Sequence, residues 1–197
     1  MANVNAPFGF RPVRYRNGSP WMGALRTYFV PASDATAIFP GDPVIIAGDG
    51  DAFGYPTATR ATAATSARIT GIMVSIRPGG ATSTSVLPPR YRVASTDAYI
   101  LVADDPALLF EAQEIGTALA VTNIGQNANI TFGAGGNTFT GQSGAGIDTS
   151  TAATGATLQM RLVEYQHDVQ NEVGQYARWL VAINLPTETG AAGSTGV

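Results

Sequence analysis

Apolar positions along this chain recur in short runs and not at helical spacing. The clearest are Tyr-Ile-Leu-Val-Ala from Tyr99 to Ala103 and Leu-Leu-Phe from Leu108 to Phe110, on either side of Asp104-Asp105-Pro106. The first run is β-branched and aromatic, and too short for a helix that must bury itself. It predicts a strand covered on both faces. After the break, Leu108, Phe110 and Ala112 share one face of an extended chain, while Glu111 and Gln113 share the other. Asp caps its own backbone and Pro presets φ, so residues 104–106 predict a turn between a pair of core strands.

Other strands are expected where the same signature returns. Leu25–Val30 would place Leu25, Thr27 and Phe29 on one face. Val44–Ala47 is short and apolar, and follows the turn Pro40-Gly41-Asp42-Pro43. Arg68–Ile76, Gln159–Tyr165 and Ala177–Leu185 are further predicted strands, with Met160, Leu162 and Glu164 sharing a face. Tyr91–Ser95 is a weaker strand candidate, and Thr117–Thr122 reads as strand or helical turn. No segment shows an amphipathic helical period.

Between these lie segments rich in small residues. Phe53–Ala67 reads as a long Thr/Ala loop and Arg77–Pro89 as a Pro/Gly excursion. From Asn123 to Thr157 the composition turns to Gly, Ala, Ser, Thr and Asn, which buries too little to fold alone. It is expected to be an insertion on a surface or at a subunit contact, with Phe132 and Phe139 around a small hairpin. Residues 1–20 hold Pro7, Pro12, Phe8, Phe10 and Tyr15, with Arg11, Arg14 and Arg16, and show no period. They predict an extended arm across a neighbouring subunit, the alternative being a tail folded onto its own domain. The expected organisation is an arm (1–20), a β domain (21–186) carrying the 123–157 insertion, and a tail (187–197). About seven to nine strands with long Gly/Ser/Thr-rich loops make the class all-β: a jelly-roll-like sandwich or a barrel.

Composition sharpens this picture. Charged residues make up 13% of the 197, against roughly 25% in ordinary domains. All positive charge is arginine, with no lysine. Lysine usually guards free edges, whereas arginine suits interfaces. A subunit of an assembly fits this, as does compositional bias of the source genome. The net charge of −3 disfavours a nucleic-acid partner. Cysteine is absent, which excludes disulfides, thiol chemistry and Cys-ligated metal. Residues 1–17 lack the apolar centre of a secretory signal, and no run approaches the roughly 20 residues that span a bilayer. Folding in the producer's cytosol, with no membrane partner, is the expectation.

Candidate chemistry is sparse. His167, the only histidine, lies beside Asp168 with no Gly-x-Ser-x-Gly elsewhere. Adjacent Asp104 and Asp105 point apart in an extended chain, so they cap a turn and do not form a paired-acid site. Glu111 and Glu114 would need a distant partner. Asp49 and Asp51 begin like a calcium loop whose remaining ligands are missing, and Gly133–Gly136 lacks the Lys-Ser/Thr of a phosphate loop. Asn17-Gly-Ser and Asn129-Ile-Thr match the glycosylation pattern by chance. Trp21, Tyr28, Phe29, Phe110 and Trp179 read as core and not as a sugar-stacking shelf. No catalytic, cofactor or metal residue is assigned, and no enzyme activity is expected.

Several stretches resemble a group of tailed-bacteriophage virion proteins that includes capsid cement, or decoration, proteins. They are the opening Met-Ala-Asn-Val-Asn-Ala-Pro-Phe-Gly-Phe-Arg-Pro-Val-Arg, Gly41-Asp-Pro-Val44, Ala103-Asp-Asp-Pro106 and Leu109-Phe-Glu-Ala-Gln113. The likeness extends to about Thr131; the glycine-rich segment matches in style only. The resemblance implies a jelly-roll-like domain that trimerises on the outer surface of the phage head against the major capsid protein. It brings no catalytic residues. In that role Phe8, Phe10, Tyr15 and Trp21 would be apolar anchors, and Arg11, Arg14 and Arg16 would pair with shell carboxylates. Deleting residues 1–20 is then expected to leave a folded domain that no longer docks. A β-rich carbohydrate- or receptor-binding module of a virion appendage is the alternative, and would need an aromatic cleft at Trp179 or Tyr176.

Overall fold

The computed structural model describes residues 3–78, 89–133, 135–188 and 193–196. Its strands are β1 (Arg11–Tyr15), β2 (Arg26–Val30), β3 (Pro43–Gly50), β4 (Pro56–Arg60), β5 (Gly71–Ile76), β6 (Ala98–Ala103), β7 (Leu108–Ile115), β8 (Asn127–Thr131), β9 (Gly146–Ala153), β10 (Met160–Tyr165) and β11 (Arg178–Ile183). One 3-10 turn, Val121–Asn123, falls where strand or helical turn was expected. The class is all-β, in the barrel form.

Five strands close into a barrel in the order β2-β4-β3-β5-β6. A second sheet runs β1-β7-β11-β10-β8-β9, and β9 returns to pair with the far end of β7. Without β1, this second sheet is the first barrel repeated. The parallel pair β2–β4 is matched by β7–β9. Four antiparallel pairs, β3–β4, β3–β5, β5–β6 and β2–β6, are matched by β8–β9, β8–β10, β10–β11 and β7–β11.

Registers agree as well. Val102 lies opposite Met73 and Arg26, and Val181 lies opposite Leu162 and Phe110. Ile46 faces Ala58 as Ile130 faces Ile147. Each barrel has a register shift at the same point of its fourth strand, between Met73 and Ser75 and between Leu162 and Glu164. A side chain just before that strand holds the second strand in both: Ile46 N–H donates to Thr70 Oγ1 at 2.8 Å, and Ile130 N–H to Gln159 Oε1 at 3.2 Å. Leu101-Val102-Ala103 and Leu180-Val181-Ala182 are one tripeptide at one position of the two barrels.

Tyr28, Val30, Met73, Ile100 and Val102 fill the first barrel. Phe110, Ile130, Met160, Leu162 and Trp179 fill the second. Ile69, Ile72 and Ala103 face out of the first barrel into the second cluster, so a continuous apolar contact joins the two.

Several expectations change. Tyr99–Ala103 and Leu108–Phe110 are core strands, but they do not pair with each other. β6 belongs to one barrel and β7 to the other, so residues 104–106 form the link between barrels. In β2 the buried side chains are Tyr28 and Val30. Gly48 and Asp49 continue β3, and the turn falls one step later, where Asp51 Oδ1 accepts the Phe53 and Tyr55 amides at 3.0 and 2.8 Å. Tyr91–Ser95 gives only an isolated bridge, Ile38 to Arg92. The 123–157 insertion is no insertion: β8 and β9 lie within it, and Ala128, Ile130 and Ile147 are buried. Small residues there let strands close tightly; a Cβ on Gly146 would lie 2.5 Å from the Gln113 carbonyl oxygen. Phe132 packs on the core beneath Arg60, while Phe139 is exposed, and they do not form a hairpin pair. The bulge at Val163 turns Glu164 away from Met160 and Leu162, because an extra residue reverses the alternation.

The N-terminal arm is also corrected. Residues 3–20 lie on their own chain, and Arg11–Tyr15 forms an edge strand antiparallel to β7. Pro12 is compatible with an edge strand, where a missing N–H costs no ladder bond. Phe10 enters the second core at 2% exposure, and its amide donates to the Gly41 carbonyl at 2.9 Å. Gly9, at φ +79°, allows this entry: a Cβ there would sit 2.6 Å from Gly41 Cα. Asn3 Nδ2 donates to the Glu172 carbonyl, and Gln113 exchanges hydrogen bonds with Val4 and Ala6. In the tail, Ser194 N–H donates to Asn184 Oδ1 at 2.9 Å and its carbonyl accepts from Asn127.

Candidate interaction surface

The seven residues expected to hold a partner divide by what they already touch. Phe10 is core. Tyr15 and Trp21 pack partly against the same cluster, and Trp21 Nε1 donates to the Ala24 carbonyl at 3.3 Å. Arg14 is paired with Glu164. Phe8 and Arg11 stay at the surface, with the Arg11 guanidinium 4.7 Å above the Phe8 ring and 3.9 Å from Glu111. Arg16 is exposed and has no carboxylate partner among the described residues.

Phe8 and Arg11 form a ridge between two open clefts. One, of about 460 Å³, runs past Phe10, Pro40 and Gly141. The other, of about 570 Å³, is bounded by Val4, Val169 and Tyr176. Its rim holds two of the most exposed aliphatic side chains, Val169 at 98% and Val4 at 74%. Arg178 lies along this cleft but is committed: Nη1 donates to Glu111 at 3.0 Å and Nη2 to Asp168 at 2.8 Å. Tyr176 has φ +65°, a left-handed conformation that costs about 1–2 kcal/mol outside glycine. A third cleft lies at the far end of β1, between Arg16 and Arg161.

Polar groups elsewhere are held in structural roles. His167 packs edge-on to Tyr165, and its neighbour Asp168 is taken by Arg178. Asp105 caps the Ala107 amide as expected, whereas Asp104 accepts from Tyr28 and pairs with Arg26. Burial and this contact push the Tyr28 hydroxyl up to about 12. Asp42 is buried with Ser143 Oγ at 2.5 Å, and burial pushes its carboxyl up. Glu114 points inward from β7 and accepts from Trp179 Nε1 at 2.8 Å and Leu119 N–H at 3.2 Å. Its second oxygen is buried with no hydrogen-bond partner among the described residues, and burial raises its pKa too. Asp51 caps its own turn and also accepts from the Tyr99 hydroxyl, while Asp49 accepts from the Thr57 hydroxyl on β4. No group of three or more His, Asp or Glu among the described residues is arranged to hold a metal. Among the described residues no helix is long and apolar enough to cross a membrane.

Sequence reasoning missed Val169 and Arg161, and named Tyr176 only for the carbohydrate-binding alternative. Val169 stands alone among polar residues between Gln166 and Glu172, and Arg161 alternates with core residues like any strand polar group. No family model, curated protein or solved structure matches the chain.

Proposed function

We propose that this chain is a non-catalytic binding protein of an assembly. More particularly, we read it as a cement protein on the outer surface of a tailed-phage head, bridging copies of the major capsid protein and trimerising there. The resemblance of its opening and central motifs supports the particular role. The observation that carries the reading is the Phe8–Arg11 ridge between two clefts, with Val4 and Val169 left in solvent at its rim. Aliphatic side chains gathered at a concave surface mark a place for another protein. A rigid strap also loses less entropy on docking than a loose arm would.

Because β1 and Phe10 are part of the fold, deleting residues 1–20 would test folding instead of docking. The suitable test mixes purified protein with heads that lack it and counts bound copies. Wild type is expected to saturate a fixed number of sites, and Phe8→Ala/Arg11→Ala to bind at least about tenfold more weakly, as loss of an interface anchor pair does. Failure of wild type to bind heads, or unchanged binding by the variant, overturns the reading. In solution, a trimer of the 20.3 kDa chain would weigh about 61 kDa by light scattering. The carbohydrate-binding alternative loses its aromatic shelf at Trp179, which is fully buried, but Tyr176 does border the larger cleft. Glycan-array binding abolished by Tyr176→Ala would favour it.

A further inference from the structure

Two guanidiniums share one cleft, and no acid is among the described residues that line it. Arg16 follows β1 and Arg161 is the second residue of β10; with Leu109, Ile124 and Val163 they border a space of about 320 Å³. Elsewhere the arginines are engaged. Arg11, Arg14, Arg26 and Arg178 reach carboxylates, Arg60 and Arg77 lie against rings, and Arg68, Arg90 and Arg92 donate to carbonyls. Arg161 makes one long bond, 3.4 Å to the Thr195 carbonyl. The Arg16 side chain makes no hydrogen bond or ion pair among the described residues. Although the residue as a whole is exposed, partial desolvation of the guanidinium in the cleft and the neighbouring Arg161 charge hold its pKa below the ordinary value. A carboxylate between the two would relieve both the repulsion and the lost hydration.

The repeated barrel says why this face is open. Arg161 occupies the position of Ile72: Ile72 pairs with Pro43 and Ala103, Arg161 with Asn127 and Ala182. On the first barrel that outward position is covered by the second barrel's apolar cluster. On the second barrel the corresponding position is lined with charge and an aliphatic wall, of which Ile124 is 41% exposed. A hydrated phosphate would leave that wall in water; an acid with aliphatic neighbours would cover it.

The geometry points to this cleft as a docking site for an Asp or Glu side chain flanked by aliphatic residues in an extended segment of a partner protein. It holds whether or not that partner is a capsid shell. Selection of a displayed random-heptapeptide library on the full chain is expected to enrich Asp or Glu next to Leu, Ile or Val. A synthetic peptide from that pool should shift the amide signals of Leu109, Ile124 and Val163. It should bind at least about tenfold more weakly when its acid becomes an amide, or when the chain carries Arg16→Gln or Arg161→Gln. Arg161→Lys, which keeps the charge and the fold, should lose less. A pool without acids, equal binding by the amide peptide, signal shifts elsewhere, or a response to inorganic phosphate alone would overturn the inference.

Discussion

Replacing Phe10 with Ala separates a strand of the fold from a detachable arm. The ring is 2% exposed and shares a cluster with Phe110, Met160 and Trp179. Truncating such a ring removes its transfer free energy and leaves a cavity that close-packed neighbours cannot fill, together about 3–5 kcal/mol. The hydrogen bond from the residue-10 amide to the Gly41 carbonyl survives, so the loss is one of packing. For a chain of this length each kcal/mol shifts Tm by about 2–4 °C, giving a fall of roughly 6–20 °C. Urea unfolding followed by tryptophan fluorescence reads it directly, since Trp179 lies in the same core and Trp21 packs against it. Phe8→Ala, which truncates a half-buried ring, is the control and should cost less than about 1.5 kcal/mol. A Phe10→Ala loss below about 1 kcal/mol would refute the packing described for residues 3–20.

Arg92 is fully buried, and its guanidinium donates to the Thr36, Pro31 and Thr96 carbonyls at 2.6, 2.7 and 3.0 Å. Arg92→Met strands three acceptors, and by urea unfolding should cost about 3 kcal/mol or more; a neutral result would show that water replaces the fork. Glu114→Gln tests the buried acid, whose pKa is raised from its ordinary 4.5. A raised carboxyl stabilises the fold while protonated, and that contribution fades as pH rises through the folded-state value. Wild-type Tm should therefore fall relative to Glu114→Gln as pH climbs from about 4.5, while Gln still accepts from Trp179; parallel Tm–pH curves would refute this.

The class and most strands were legible because the signal is local. β6, β7, β10 and β11 announce themselves by apolar runs of strand length. What failed is what depends on partners far along the chain. Nothing in Tyr99–Phe110 tells that its two halves go to different barrels, because a turn and a crossover both use Asp and Pro. Arg11–Tyr15 has no alternation, since an edge strand with a proline and a bulge needs none. β8 and β9 were hidden by Ala, Gly, Ser and Thr, which read as loop yet are what tight barrel closure demands. The duplication left the Leu-Val-Ala tripeptide and a few matched positions such as Ile46 and Ile130. Of the expected partner residues, Phe8, Arg11 and Arg16 lie at clefts. The other four are aromatic or paired side chains that the fold uses for itself, and sequence alone does not distinguish a sticky tail from a strand.

β1 is made about a hundred positions before the residues it pairs with. While the ribosome is still at work, the first barrel can close on its own strands, and Arg11–Tyr15 must wait until Leu108–Glu111 have emerged. Through that interval the Phe10 ring has no pocket to enter. Residues 10–15 therefore settle only after the first barrel can have closed, and until then newly synthesised chains offer chaperones an unpaired strand and an exposed ring.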